Sequence, residues 1–255
     1  MKKGIFCISI DTELLWGRKD LDYSKFIRAT KKERDIINRL LDIFTKYKIS
    51  VTWAVVGSMN SSGDPLWRGK DIIDQIKKTK LQEVGSHSYS HEVFTQIDKD
   101  CADQEVKRNR AVSFVFPRNK VAHLDLLKKY GFKIYRSADQ TNWETIIPRI
   151  PPVYELQTNK GLIATRGSMY FVSARGIRKY IPIWLRVVKA KLGIKSAVKN
   201  RKVFHLWFHP VDLAENTIAM LDGIEQIVKY ANEKREQGLL EIKSMEQTAS
   251  EFGFK

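Results

Sequence analysis

GIFCISIDTE, residues 4–13, decides how the rest of the chain reads. An apolar run from Gly4 to Ile10 stops at Asp11 and Glu13. With two lysines ahead of it, the stretch could open a secretory signal. It has no small-residue cleavage site, and its length is at the bottom of the range for such a segment. A β-strand that ends in two carboxylates accounts for it better. Side chains two apart on an extended segment point the same way, so Asp11 and Glu13 converge while Thr12 turns aside. Close carboxylates repel, and a divalent cation or a neighbouring arginine would relieve this. A strand-end pair that caps a helix or faces water is the plainer alternative.

Further strands follow at intervals. SVTWAVVG (50–57), QEVGSH (82–87), SFVFPRN (113–119), KIYRS (133–137), LIATRG (162–167), KVFHLWFH (202–209) and LLEIKS (239–244) all carry β signals. Helical stretches separate them. In YSKFIRATKKERDIINRLLDIFTKYK, Ile36, Ile37, Leu40, Leu41 and Phe44 recur at helical spacing. LWRGKDIIDQIKKTK reads as the next helix. Alternating strands and helices predict an α/β fold with a parallel sheet, and seven or eight units predict a closed or nearly closed (β/α) barrel. In a barrel the chemistry belongs at the carboxyl ends of the strands. Asp11, Glu13, His87, Pro117, Arg118, Asn119 and His209 all fall there. The chain has no linker-like tract, so 1–255 is expected to be a single domain.

HSYSH (87–91) spaces two histidines by four, which on a helical turn lets both face one ion. Many such pairs are simply exposed helix residues. Zinc favours imidazole and accepts a carboxylate as third ligand. Arg118 could hold a catalytic carboxylate ionised or form an ordinary surface pair. In HLWFHP, His209 lies nearest the carboxyl end and suits a general acid, while His205 reads as a satisfied interior histidine.

Taken together these residues resemble the polysaccharide deacetylases of the NodB-homology family, carbohydrate esterase family 4. The resemblance runs from FCISIDTE to SMEQTASEF and implies a distorted (β/α)7–8 barrel. SIDTE matches the first motif, with Asp11 at the catalytic-base position. Where the common motif has adjacent aspartates, position 12 is Thr, and branches with Asp-x-Glu make Glu13 the third metal ligand. HSYSH matches the H-S/T-x-x-H motif and makes His87 and His91 ligands. FPRN implies Arg118 as the residue ordering the base, and LWFH implies Leu206 at an apolar position and His209 as the acid. RSADQTNW echoes the aspartate–tryptophan motif through Asp139 and Trp143, which join Trp16 and Leu206 as candidates for the substrate pocket. The implied activity is metal-dependent N-deacetylation of an amino sugar in surface polysaccharide or O-antigen biosynthesis, with Zn²⁺ as the expected ion. A glycan-binding protein on an inactive scaffold and an amidohydrolase acting on a small non-sugar amide are the competing readings.

Forty-five Lys and Arg against 29 Asp and Glu give a formal charge of +16 and favour polyanionic partners. No nucleic-acid motif accompanies the charge. Residues 174–202 combine ten Lys and Arg with Ile177, Ile181, Ile183, Trp184, Leu185, Val187 and Val188. That composition fits either a membrane-surface element or a barrel helix with solvated lysines. Pro182 argues against one continuous helix. No segment reaches the roughly 18 to 20 apolar residues that span a bilayer, and two cysteines give no disulfide framework. The expected location is the cytoplasm, with docking at the inner membrane face, and the expected substrate an N-acetylated sugar or glycan, lipid- or nucleotide-linked.

Overall fold

The computed structural model describes residues 1–61, 63–137 and 150–251. Ten strands are present among them: β1 (Gly4–Thr12), β2 (Val51–Val55), β3 (Gln82–Ser86), β4 (Ser113–Val115), β5 (Ile134–Ser137), β6 (Gln157–Asn159), β7 (Leu162–Arg166), β8 (Met169–Tyr170), β9 (Val203–Phe208) and β10 (Leu240–Lys243). The helices are α1 (Ile27–Thr30), α2 (Glu33–Lys46), α3 (Lys70–Lys78), α4 (Lys99–Lys107), α5 (Leu124–Lys129), α6 (Ile183–Asn200), α7 (Thr217–Glu236) and α8 (Met245–Ser250). The sheet runs β6-β7-β5-β4-β3-β2-β1-β9-β8, with β10 beside β1. Every ladder is parallel except β6–β7.

The sheet curls into a distorted barrel. Thr165 of β7 reaches His205 of β9 at 3.3 Å. Between those strands Tyr154 exchanges backbone hydrogen bonds with Val203, so a single bridge replaces a ladder. β1 lies at the centre. Its Ile5–Ile10 stretch pairs with β9, and the other edge is divided between β10 along Gly4–Cys7 and β2 along Ser9–Thr12.

Alternation along β1 separates two environments. Phe6, Ile8 and Ile10 join the helix layer with Ile36, Ile37, Leu40 and Phe44 of α2. Ile5 and Cys7 face inward with Ala54, Val115, Ile134, Ile163 and Val203, where Met245 and Ala249 of α8 close the apolar floor. The next inward positions, Ser9 and Asp11, rise from that floor toward the mouth. Burial of a large apolar side chain stabilises by about 1.5–3 kcal/mol, so truncating the fully buried Phe44 would cost about 3–5 kcal/mol. The layer is tight at Gly193, where an added Cβ would collide with the Phe204 ring of β9.

Two local readings are corrected. The helix expected from Tyr23 onward breaks at Lys31–Lys32 into α1 and α2. SFVFPRN is strand only to Val115; Pro117–Asn119 forms a 3₁₀ turn, with Arg118 and Asn119 at φ 57° and 54°. β6 and β8, three and two residues long, fall below the length at which a strand pattern can be read. α6 starts directly after Pro182, whose ring suits a helix beginning and not its interior.

Candidate active site

Asp11 is nearly fully buried, and its partner comes from across the barrel. Arg136 on β5 donates through Nη1 to Oδ1 at 2.8 Å and through Nη2 to Oδ2 at 2.6 Å. Its remaining donors are taken by Ser9 Oγ at 2.9 Å and Asn119 Oδ1 at 2.9 and 3.1 Å. The guanidinium lies 4.5 Å over the Trp207 ring. Burial, the largest single effect, works against the Asp11 carboxylate, but the charges of Arg136, His87 and His209 together with the Arg136 hydrogen bonds outweigh it, and the pKa lies below its ordinary value. Arg118, expected in this role, is not there. The left-handed turn at 118–119 carries its side chain outward to Asp20, at 2.7 Å, and the Gly17 carbonyl, at 3.2 Å. Asn119 from the same turn faces inward and steadies Arg136.

Glu13, His87 and His91 converge. Glu13 Oε2 stands 3.0 Å from His91 Nε2 and 3.4 Å from His87 Nε2, and all three residues are buried. The histidines do not share a helical turn. Residues 87–91 form a loop in which Ser88 and His91 adopt φ 61° and 62°. Several bonds impose that shape. His91 N–H donates to Ser88 Oγ at 3.0 Å, and Ser90 N–H and Oγ–H both donate to the Glu105 carboxylate. Asn109 Nδ2 donates to the Ser88 and Val55 carbonyls.

His87 Nδ1 lies 2.8 Å from the Val115 carbonyl, which can only accept. The proton of the neutral ring is therefore on Nδ1 and the Nε2 lone pair faces Glu13. Two ligands on one tetrahedral zinc stand about 3.3 Å apart, and the observed 3.0 and 3.4 Å bracket that spacing. The donor set fits a divalent metal ion. Burial disfavours the Glu13 carboxylate, but His209, Arg18 at 2.6 Å and His91 hold its pKa well below the usual range. Gly17 stands directly behind this carboxylate, leaving no space for a Cβ.

His209 follows β9 and faces both carboxylates, with Nε2 3.8 Å from Asp11 Oδ2 and 3.7 Å from Glu13 Oε1. Its Nδ1 lies 2.8 Å from Asp212 Oδ2, which also accepts from the His209 backbone N–H at 3.0 Å and from Tyr170 Oη at 2.7 Å. Tyr170 stacks on Trp207 at 4.4 Å. Burial opposes the charged imidazole, but Glu13, Asp212 and Asp11 outweigh it and raise the pKa to about 9. His205 below is the satisfied interior histidine expected of it. Its ring meets Ser9 Oγ at 2.8 Å, and burial, helped by Arg136, depresses its pKa to about 3.

The pocket candidates divide. Trp16 is half-buried beside the site and donates to the Trp67 carbonyl at 2.9 Å. Leu206 is corrected: it packs in the helix layer with Phe204 and Phe208, because alternation on β9 gives the inward face to Trp207. Asp139 and Trp143 lie outside the described residues.

Sequence reasoning missed Arg136, Asp212, Arg18 and Tyr170. Asp212 carried a signal, since His209 and Asp212 form a capping box around the turn at Pro210–Leu213. Nearby, Glu33 at the start of α2 is fully buried, and neither carboxylate oxygen has a hydrogen-bond partner among the described residues. Burial first, then the Glu13 charge, raises its pKa to about 8.

Residues 28–113 match the sequence family described as polysaccharide deacetylase. Among curated proteins, none matches the sequence. The fold is similar to that of a Mycobacterium smegmatis protein classed among the polysaccharide deacetylases, with TM-score 0.72 and 15% identity over 98% of this chain and 91% of that one. It is also similar to Puue allantoinase, with TM-score 0.70 and 11% identity over 97% and 89% of the two chains. A carbohydrate esterase family 4 pseudoenzyme from Bacillus anthracis aligns with TM-score 0.53 and 14% identity over 97% and 66%. The chain thus resembles the polysaccharide deacetylases twice over, by a sequence match across residues 28–113 and by a fold shared along nearly its whole length.

Proposed function

We propose that this chain is a single-domain, metal-dependent hydrolase that removes the acetyl group from an N-acetylated amino sugar. The observation that carries the reading is the meeting, in one buried mouth, of three ligand-type residues with a paired base and a paired acid. Glu13, His87 and His91 would hold the ion, and two imidazoles with one carboxylate suit Zn²⁺. A bound divalent ion supplies Lewis acidity, polarising the amide carbonyl and acidifying water.

The chain supplies the proton transfers. Asp11, kept ionised and aimed by Arg136, takes a proton from the attacking water. The water oxygen bonds to the carbonyl carbon as the C–N bond breaks. His209 donates its Nδ1 proton to Asp212 and, with its pKa raised to about 9, is the imidazolium at neutral pH; it delivers its second proton, on Nε2, to the departing nitrogen. The products are acetate and a free amine. Surface polysaccharide or O-antigen assembly in the cytoplasm, on a lipid- or nucleotide-linked sugar, is the setting proposed for the strongly basic chain.

The fold shared with Puue allantoinase favours a second reading, hydrolysis of a small non-sugar amide with the same residues. The family 4 pseudoenzyme with the same fold keeps an inactive glycan-binding scaffold as a third.

Metal analysis of the purified protein beside a His87→Ala/His91→Ala variant tests the centre, and acetate release from N-acetyl sugars tests the substrate class. About one equivalent of metal in the wild type alone is expected. Absence of metal from both after incubation with Zn²⁺ overturns the hydrolase reading. Metal without acetate release from any N-acetyl sugar moves the case to the other amide.

A further inference from the structure

The turn at Gly176–Tyr180 and the first half of α6 present side chains that a protein surface usually covers. Ile177 is 84% exposed, Tyr180 75% and Trp184 65%. Trp184, Val188 and Leu192 recur every four residues and share the outer face of α6, while Val187, Ala190, Ile194 and Ala197 are buried on the other. Single exposed apolar residues need no explanation, but a contiguous set does. Arg178 and Lys179 lie within the turn, Lys195 continues the exposed face, and half-buried Lys191 flanks it with its ammonium 5.7 Å from the Tyr230 ring centroid. No Asp or Glu occurs between residues 174 and 202.

The patch lies beside the candidate site. The far end of α6 is at the floor, where the Ala197 carbonyl presses on Gly4 at the start of β1. α6 therefore begins at the mouth, where Asp11 and His209 lie. Arg178 stands over the ring of Tyr170, 6.0 Å from its centroid, and the Tyr170 hydroxyl donates to Asp212. Arg175 covers the Phe26 ring at 4.3 Å, and Arg18, the partner of Glu13, lies 5.1 Å from the same ring.

We propose that Ile177, Tyr180, Trp184, Val188 and Leu192, with the surrounding basic residues, dock the protein on an anionic phospholipid bilayer and hold the mouth against the headgroups. Tryptophan and tyrosine settle at the membrane–water boundary, where one edge of the ring is apolar and the other wet. Aliphatic residues enter the acyl boundary, and lysines and arginines gain attraction from anionic lipid. A second copy of the chain is the poorer occupant, because it would set two uniformly positive patches face to face. Among the described residues no helix is long and apolar enough to cross a membrane, so attachment is at the surface. Docking stands independently of the hydrolase reading; that it delivers a lipid-linked substrate to the mouth rests on that reading.

Flotation with vesicles of phosphatidylcholine, alone or mixed with phosphatidylglycerol, tests the proposal. Wild type, Ile177→Ser/Trp184→Ser and Lys191→Glu/Lys195→Glu are compared, with thermal melting and metal content measured on the same preparations. Wild type is expected to float with the anionic vesicles and poorly with neutral ones. Each variant should bind about tenfold more weakly or worse, with melting and metal content unchanged. No flotation of wild type, or equal flotation of wild type and the Ile177/Trp184 variant, overturns it. So does concentration-dependent dimerisation that Trp184→Ser abolishes without any vesicle binding. Vesicle binding by a protein that takes up no metal sinks the hydrolase reading alone.

Discussion

Arg136 grips both carboxylate oxygens of Asp11 from the opposite wall of the barrel, at 2.8 and 2.6 Å. Both side chains are buried, so neither can turn to water when the other is removed. Arg136→Met should destabilise the fold by about 3–5 kcal/mol by stranding a buried carboxylate. Arg118→Ala breaks only a half-exposed pair with Asp20 and should stay within about 1 kcal/mol. Denaturant midpoints of the two variants check this, and equal losses would refute the assignment.

Asp212 is a positioning residue for His209, through the 2.8 Å contact at Nδ1. Its charge is one of those that raise the His209 pKa. Asp212→Asn withdraws that charge, so the imidazole should lose its proton at lower pH. An NMR titration of His209 in chelator-treated protein should show the fall. In activity, the alkaline limb of the rate profile should move to lower pH, because the protonated form is the acid. An unmoved titration would mean that Asp212 only caps the turn.

Glu33 makes stability depend on pH with a definite sign. Its pKa is raised from 4.5 to about 8 in the folded chain. Below the lower value both states are protonated, and the contribution is fully present. As pH rises toward the folded value, the unfolded chain gives up its proton while the folded one keeps it, so stability falls. Glu33→Gln keeps a neutral side chain and removes that slope. Urea unfolding of chelator-treated proteins at about pH 5 and about pH 8 should find the variant gaining a few kcal/mol on the wild type between the two. Parallel profiles would contradict a neutral Glu33.

Gly17 backs the Glu13 carboxylate so closely that any Cβ must displace it. Gly17→Ala should leave the barrel folded yet weaken metal uptake by about 10–100-fold, the range for disturbing a ligand's support. Calorimetric Zn²⁺ titration gives the number. Undiminished affinity would show that Glu13 is not a ligand.

Much of this arrangement was legible from residue order. A strand closed by Asp11 and Glu13, a histidine pair after a short strand and His209 after a hydrophobic one are local patterns, and the fold places them where the patterns say. The partners were not legible. Which arginine meets Asp11 depends on inward alternation across two strands far apart in sequence: KIYRS reads as an ordinary strand, while FPRN looks functional until the left-handed turn sends Arg118 out. The four-residue histidine spacing arises from a looped backbone held by Ser88, Glu105 and Asn109, and spacing alone cannot tell that from a helix.

The division of one edge of β1 has a consequence for how the molecule assembles. Gly4–Cys7 completes its ladder only with Leu240–Lys243, and Ile5–Ile10 only with Val203–Phe208. During synthesis, β1 emerges long before either partner, and pairing over such separations is slow because loop closure precedes any gain from contact. Ser9–Thr12 can pair early with β2, but the Gly4–Cys7 edge and the face toward β9 must wait through most of translation. A chain ending before residue 240 would contain Asp11, Glu13, His87, His91, Arg136, His209 and Asp212, yet leave the Gly4–Cys7 edge of the strand that carries Asp11 unpaired.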